Sequence, residues 1–282
     1  MKKIIALTIT ALVLAASLAG CAVDKPAMGN FSDEMKIPVK NVDLDPEAGA
    51  DSVERDGDHK DSHYFGSADY YNLTSTDTLT ILPKFKTYQQ TCESSCGVAS
   101  TLMVLDYFGK LGDYTEESLA KLRNEAGDYK TDGSTSVSQV LSILDHVGGF
   151  EVASTYDYYG KTNGEGEDYF TPEGSAVSIY SEITLDWIKV QLEEGKPIMV
   201  CWNDWGGHWQ VIIGYDTMGT ETTQDDVIIV ADPYDTTDHN QDGYGVYGAE
   251  RFYYNWTLYD FFEGSEFAQE RDFLFVTVTP EK

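Results

Sequence analysis

Cys96, His208 and Asp232 supply the three functional groups that thiol-mediated acyl transfer needs, and each occurs in a local setting that suits it. Cys96 follows Gln90-Thr91-Cys92-Glu93-Ser94-Ser95 and opens the run Gly97-Val98-Ala99, where apolar residues begin to recur at helical spacing. A thiol at a helix N-terminus meets unpaired backbone N–H groups and the positive end of the helix dipole, which favour the thiolate. Gln90, six residues earlier, brings a side-chain amide that with the Cys96 N–H could face a developing oxyanion. His208 follows Gly206-Gly207 and heads the run Trp209 to Tyr215. An imidazole at the opening of a strand can reach into a cleft and take the thiol proton. Asp232 ends Val-Ile-Ile-Val-Ala and precedes Pro233, a position from which a carboxylate can fix the histidine tautomer. Asn203 and Asp204 are alternatives for that orienting role. His59, His63, His146 and His239 have no comparable setting.

These residues need a helix and several strands to hold them. Val98, Leu102, Val104, Leu105 and Phe108 predict a buried helix from Cys96 to a stop at Gly109. Further helices are expected over Glu116 to Ala126, Val137 to Val147 and Ile183 to Glu194, the last capped by Ser181 or Thr184 and ended by Gly195. Strands are expected over Ile198 to Trp202, His208 to Tyr215, Val227 to Ala231 and Phe273 to Val278. In the second strand a period of two sets His208, Gln210, Ile212 and Gly214 on one face. Helices first and strands second make an α+β domain with its site between the halves.

The N-terminus adds an address. Lys2 and Lys3 precede an apolar run from Ile4 to Leu18, too short for a comfortable membrane span, which reads as an export signal. Leu18-Ala19-Gly20-Cys21 resembles the lipobox of bacterial lipoproteins. That resemblance implies cleavage after residue 20 and acylation of Cys21, anchoring the protein outside the cytoplasm at a bacterial cell membrane. Residues 21–75, with three prolines and an acidic run from Asp51 to Asp61, suit a solvated tether. Residues 76–282 form the working domain. Of the cysteines, Cys92 and Cys201 either pair or serve as plain core residues once Cys21 and Cys96 are assigned.

The net charge of −29 excludes the basic patches on which nucleic-acid binding rests. It suits divalent cations instead. Asp238, Asn240 and Asp242 alternate before Gly243, like the first half of an EF-hand-type loop, and Asp235 or the carbonyl of Tyr244 would complete the ligand set. A structural calcium ion is the expected occupant, although position twelve is Ala249 and not the usual glutamate. No cofactor is needed for the thiol chemistry. The aromatics from Tyr244 to Trp256 fit either a substrate groove or the core.

Taken together, Gln90 with Cys96-Gly97-Val98-Ala99, Gly195-Lys196-Pro197-Ile198, Gly207-His208-Trp209-Gln210-Val211-Ile212-Ile213-Gly214-Tyr215 and Asp232-Pro233 resemble the bacteriocin-processing, double-glycine leader peptidase-like type of papain-like cysteine peptidase, family thirty-nine. The resemblance spans about residues 80 to 280. It implies a papain-like fold with an N-terminal helical half and a C-terminal antiparallel sheet half. It also implies Cys96 as nucleophile, His208 as base and acid, Asp232 as orienter and Gln90 in the oxyanion hole. The expected activity is hydrolysis of peptide or related amide bonds, with acyl transfer to an amine as a variant. No transporter membrane domain or ATPase lies in this sequence, which points away from leader cleavage. The other expectation is a non-catalytic papain-like module binding a peptide or glycan at the cell surface.

Overall fold

The computed structural model describes residues 68–123, 134–158, 182–204, 206–235, 240–256, 270 and 273–282. The signal, Cys21, most of the tether and Asp238 lie outside the described residues.

Seven strands form one antiparallel sheet: β1 (Leu79–Ile81), β2 (Phe150–Ser154), β3 (Ile198–Trp202), β4 (His208–Asp216), β5 (Val227–Ala231), β6 (Tyr244–Gly248) and β7 (Leu274–Pro280). The order is β2-β7-β3-β4-β5-β6, and β1 pairs with the far end of β4. Five helices accompany it among the described residues: α1 (Cys96–Tyr107), α2 (Glu116–Ala120), α3 (Val137–Val147), α4 (Leu185–Glu193) and α5 (Ala249–Trp256). This is an α+β architecture.

The strands at the centre are apolar on both sides because both faces are covered. Every residue of β3 is buried, and in β4 only Asp216 is not. α1 lies on one face: Thr101 Oγ1 contacts Met199 Sδ, and Ser100 Oγ donates to the Trp209 carbonyl. Gly97 explains the closeness of that approach. A Cβ there would lie 2.8 Å from Thr135 Cβ and 3.1 Å from Trp209 Cδ1, so only glycine lets the first turn of α1 sit against the sheet. The opposite face is covered by α4 and α5, through Trp187 on Phe275 and through Phe252 and Trp256. Ten of the twelve α1 residues are buried, which is why its pattern shows little amphipathicity.

α3 begins with a capping box between Ser136 and Gln139, and the Glu270 carboxylate accepts from the Val137 and Ser138 amides at 2.6 and 3.0 Å. Thr184 caps α4 by accepting from the Trp187 amide. That makes α4 two residues shorter at its start than the periodicity predicts. α2 ends at Ala120, and Asn124 to Ala126 lie outside the described residues.

Candidate active site

Three strand ends and one helix end converge. Register does the placing. β3 and β4 pair Trp202 with His208 and Val200 with Gln210, while β4 and β5 pair Val211 with Ala231. Paired residues share a face, so Trp202, His208 and Gln210 stand side by side and Asp232, one residue past β5, falls opposite Gln210. Gly206 and Gly207 turn the chain into β4 with φ of +82° and +121°, a backbone that side chains rarely tolerate. The turn is closed by the Gly207 amide on the Asp204 carbonyl.

His208 is buried at the head of β4, and its Nε2 lies 2.7 Å from Asp232 Oδ1. The Cys96 thiol lies near enough to act on the same imidazole. With Nε2 given to Asp232, the nitrogen left for sulfur is Nδ1. Burial alone would lower the His208 pKa, but the charge and hydrogen bond of Asp232, together with Cys96, push it well above the ordinary histidine value. Asp232 is the reciprocal case. Burial would raise it, yet His208, the Tyr234 amide and Gln210 hold it below the ordinary aspartate value. Its Oδ1 accepts from Tyr234 N at 2.8 Å and its Oδ2 from Gln210 Nε2 at 2.8 Å.

Cys96 is the first residue of α1 and is buried. The helix has no side-chain cap, because the Ser95 hydroxyl donates to the Cys92 carbonyl at 2.9 Å instead. The first-turn amides are thus left to an anion at the position of the sulfur or of a bound carbonyl oxygen. Gln90 is fully buried in the same loop. Its Nε2 donates to the carbonyls of Cys92 at 2.8 Å and Glu93 at 3.1 Å, and its Oε1 has no hydrogen-bond partner. The amide expected to face an oxyanion therefore braces the loop ahead of Cys96.

That loop is tied down on both sides. Thr91 donates through N and Oγ1 to the buried Glu116 carboxylate of α2. On the other side, the Gln90 main-chain N–H donates to the Pro233 carbonyl at 2.8 Å, and the Tyr234 hydroxyl to Glu93 Oε2 at 3.0 Å. The Tyr234 ring stands edge-on to His208 at 6.3 Å between centroids.

Cys92, Cys96 and Cys201 are all free thiols. Cys201 is buried on the α1 side of β3, and burial first, then the nearness of Cys96 and Glu270, pushes its thiol pKa up. Asn203 is exposed. Asp204 lies near both His208 and Asp232 and accepts from Tyr247.

Of the expected calcium ligands, Asp238 lies outside the described residues. Asn240 is half-buried, and Asp242 and Tyr244 are buried. Asp242 Oδ1 accepts from the Tyr244 amide, and Asp235 Oδ2 accepts from the Gly243 amide at 2.6 Å. Tyr244 opens β6 and buries its ring. The described part of the turn is thus closed by its own main chain. No group of three or more His, Cys, Asp or Glu suited to a metal occurs among the described residues. Tyr244, Phe252 and Trp256 belong to the core, while Tyr254 is exposed.

Over residues 82–261 the chain matches the Peptidase_C39 like family, and it belongs to that family of cysteine peptidases. Among solved structures it is similar to the peptidase domain of Streptococcus ComA, described as a bi-functional ABC transporter involved in a quorum sensing pathway. The identity is 18% and the TM-score 0.39, covering 70% of this chain and 99% of that one. A search of curated proteins found none that matches.

Proposed function

We propose that this protein hydrolyses peptide or related amide bonds through an acyl-enzyme on Cys96, outside the cytoplasm and tethered to a membrane by an acylated Cys21. One observation carries the chemistry: a buried histidine hydrogen-bonded to Asp232 and standing near a thiol at an uncapped helix N-terminus. The thiol proton rests on His208 Nδ1 before attack, in keeping with the raised pKa of the imidazole, and the sulfur then adds to the scissile carbonyl. The Cys96 N–H stabilises the resulting oxyanion. A substrate oxygen recruits Gln90 by displacing the longer of its two bonds, the one to Glu93. His208 returns the proton to the departing amine, and the C–N bond breaks. Water then gives a proton to His208 as it attacks the thioester, the C–S bond breaks, and His208 returns that proton to the sulfur, releasing acid and thiol. Asp232 keeps its charge throughout and holds the imidazole tautomer that leaves Nδ1 free to take the proton.

The extracytoplasmic address rests on the export signal and on Leu18-Ala19-Gly20-Cys21. A tether of residues 21–75 lets such a domain work away from the bilayer surface.

The test compares mature protein with its Cys96→Ala variant on a mixed peptide pool, read by mass spectrometry. New termini are expected with the wild type alone, and the variant keeps its cooperative unfolding. Equal cleavage by both would sink the mechanism. Cleavage by neither, with Cys96 labelled by iodoacetamide no faster than an unfolded thiol, would favour the binding-module reading.

A further inference from the structure

The site contains a chain of hydrogen bonds whose direction is fixed from one end. An indole N–H can only donate. Trp202 Nε1 donates to Gln210 Oε1 at 2.8 Å, and both side chains are buried. This fixes which end of the Gln210 amide faces the indole. Its other end, Nε2, then donates to Asp232 Oδ2 at 2.8 Å and to the Tyr247 oxygen at 3.1 Å. The Tyr247 hydroxyl in turn donates to Asp204 Oδ2 at 3.2 Å. The rings of Tyr247 and Phe252 pack on Trp202 with centroids 5.0 and 4.8 Å away, so the indole cannot turn out of the arrangement.

We propose that Gln210 is a positioning residue that carries the donor polarity of Trp202 to Asp232, so that residue 232 must be a carboxylate and cannot be an amide. The inference rests on Cys96 and His208 acting as nucleophile and base. Asp232 accepts from His208 and Tyr234 on one oxygen and from Gln210 on the other. An amide at 232 has only one acceptor. With its oxygen toward His208, its NH2 meets the Gln210 NH2, donor against donor. With its oxygen toward Gln210, its NH2 meets the Tyr234 N–H and drives His208 to the tautomer protonated at Nδ1, which cannot take the thiol proton. Gln210 cannot relieve either clash by flipping, because Trp202 would then face its NH2.

The prediction is a rescue. Asp232→Asn should slow iodoacetamide labelling of Cys96 at pH 6 by about 10- to 100-fold, the range expected for losing a buried hydrogen bond to a charged group. Trp202→Phe keeps an aromatic ring and removes the donor, so Gln210 can turn its oxygen to the new amide. Asp232→Asn with Trp202→Phe should therefore label about tenfold faster than Asp232→Asn alone. Equal or slower labelling of the double variant overturns the inference. If the double variant shows no cooperative unfolding, Gln210→Met decides: it should move the midpoint of the labelling pH profile, and an unmoved midpoint overturns the inference. Wild-type labelling that is slow and indifferent to His208→Ala would instead remove the nucleophile–base reading, and the inference with it.

Discussion

The His208–Asp232 pair makes a prediction about stability whose sign follows from the geometry. The perturbation is the double variant His208→Ala with Asp232→Ala, compared with a chain that keeps both, each in a Cys96→Ala background so that the thiol does not titrate. Removing both partners avoids stranding one buried charge, which alone would cost about 3–5 kcal/mol. His208 has a folded pKa above its ordinary 6.5. Its contribution is therefore fully present below pH 6.5 and is lost as pH rises toward the folded value. Asp232 has a folded pKa below its ordinary 3.8. Its contribution is fully present above pH 3.8 and is lost as pH falls toward the folded value. The stability difference between the chains should thus be flat from pH 3.8 to 6.5 and decline on both sides. The limiting slope for one proton is about 1.4 kcal/mol per pH unit, so the difference shrinks by at most about 2 kcal/mol between pH 6.5 and 8. Urea unfolding at pH 5, 6.5 and 8 measures it; subtracting the variant at each pH cancels the groups remote from the pair, and Asp204, which feels both members, is replaced by Asn in both chains. A difference that stays flat or grows above pH 6.5 would mean that burial has won and His208 is folded neutral. That result would refute the charged-pair reasoning.

Other consequences are simpler to test. Tyr234→Phe removes the exposed hydroxyl bond to Glu93, so unfolding should change by less than about 1 kcal/mol, while KM for peptide substrates moves because the bond ties the loop ahead of Cys96 to the segment after Asp232; an unchanged KM counts against a substrate-side role. Cys21→Ser should shift the exported protein from the detergent phase to the aqueous phase in Triton X-114 partition, and retention in detergent would refute the lipid anchor. If Asp238, Asn240, Asp242 and the Tyr244 carbonyl hold calcium, millimolar calcium should raise Tm by several degrees, and an unmoved Tm would refute the ion site.

The sequence was most legible where one period ran long enough to be read. α1, α3, β3, β5 and the start of β4 fall where hydrophobic spacing sets them, since each buries an apolar face and is bounded by glycine, proline or a polar turn. The misses have a common cause. β1 spans only Leu79–Ile81, and in β2 the three central residues are exposed, so neither carries an alternating signature. β6 reads Tyr-Gly-Val-Tyr-Gly, where two glycines mimic a turn. α5 has Ala249, Phe252 and Trp256 at helical spacing, but neighbouring tyrosines blur the apolar stripe. At the site, period two already put Gln210 on the face of His208. What no spacing could supply was the register across β3, β4 and β5 that brings Trp202 and Asp232 to that same amide. The direction in which Gln90 spends its donors was equally out of reach, being a property of the loop carbonyls it meets.

Spacing also left Asp204 and Asp232 as rivals for orienting the histidine, and the structure separates them by counting donors. Both carboxylates lie close to His208, whose positive charge lowers the pKa of each. Asp232 is the more deeply buried of the two, so desolvation by itself should make it the one that protonates first. The reverse holds. Asp232 receives His208, the Tyr234 amide and Gln210, and stays below the ordinary aspartate value. Asp204 receives the Tyr247 hydroxyl at 3.2 Å, feels the Asp232 charge, and is pushed up by its burial. As pH falls, Asp204 takes a proton while Asp232 remains an anion beside the imidazolium. Two acids flanking one base are thus given different states by the donors around them. The chain's overall charge of −29 does not decide this, since solvent-exposed charges are screened beyond about 8 Å at physiological salt.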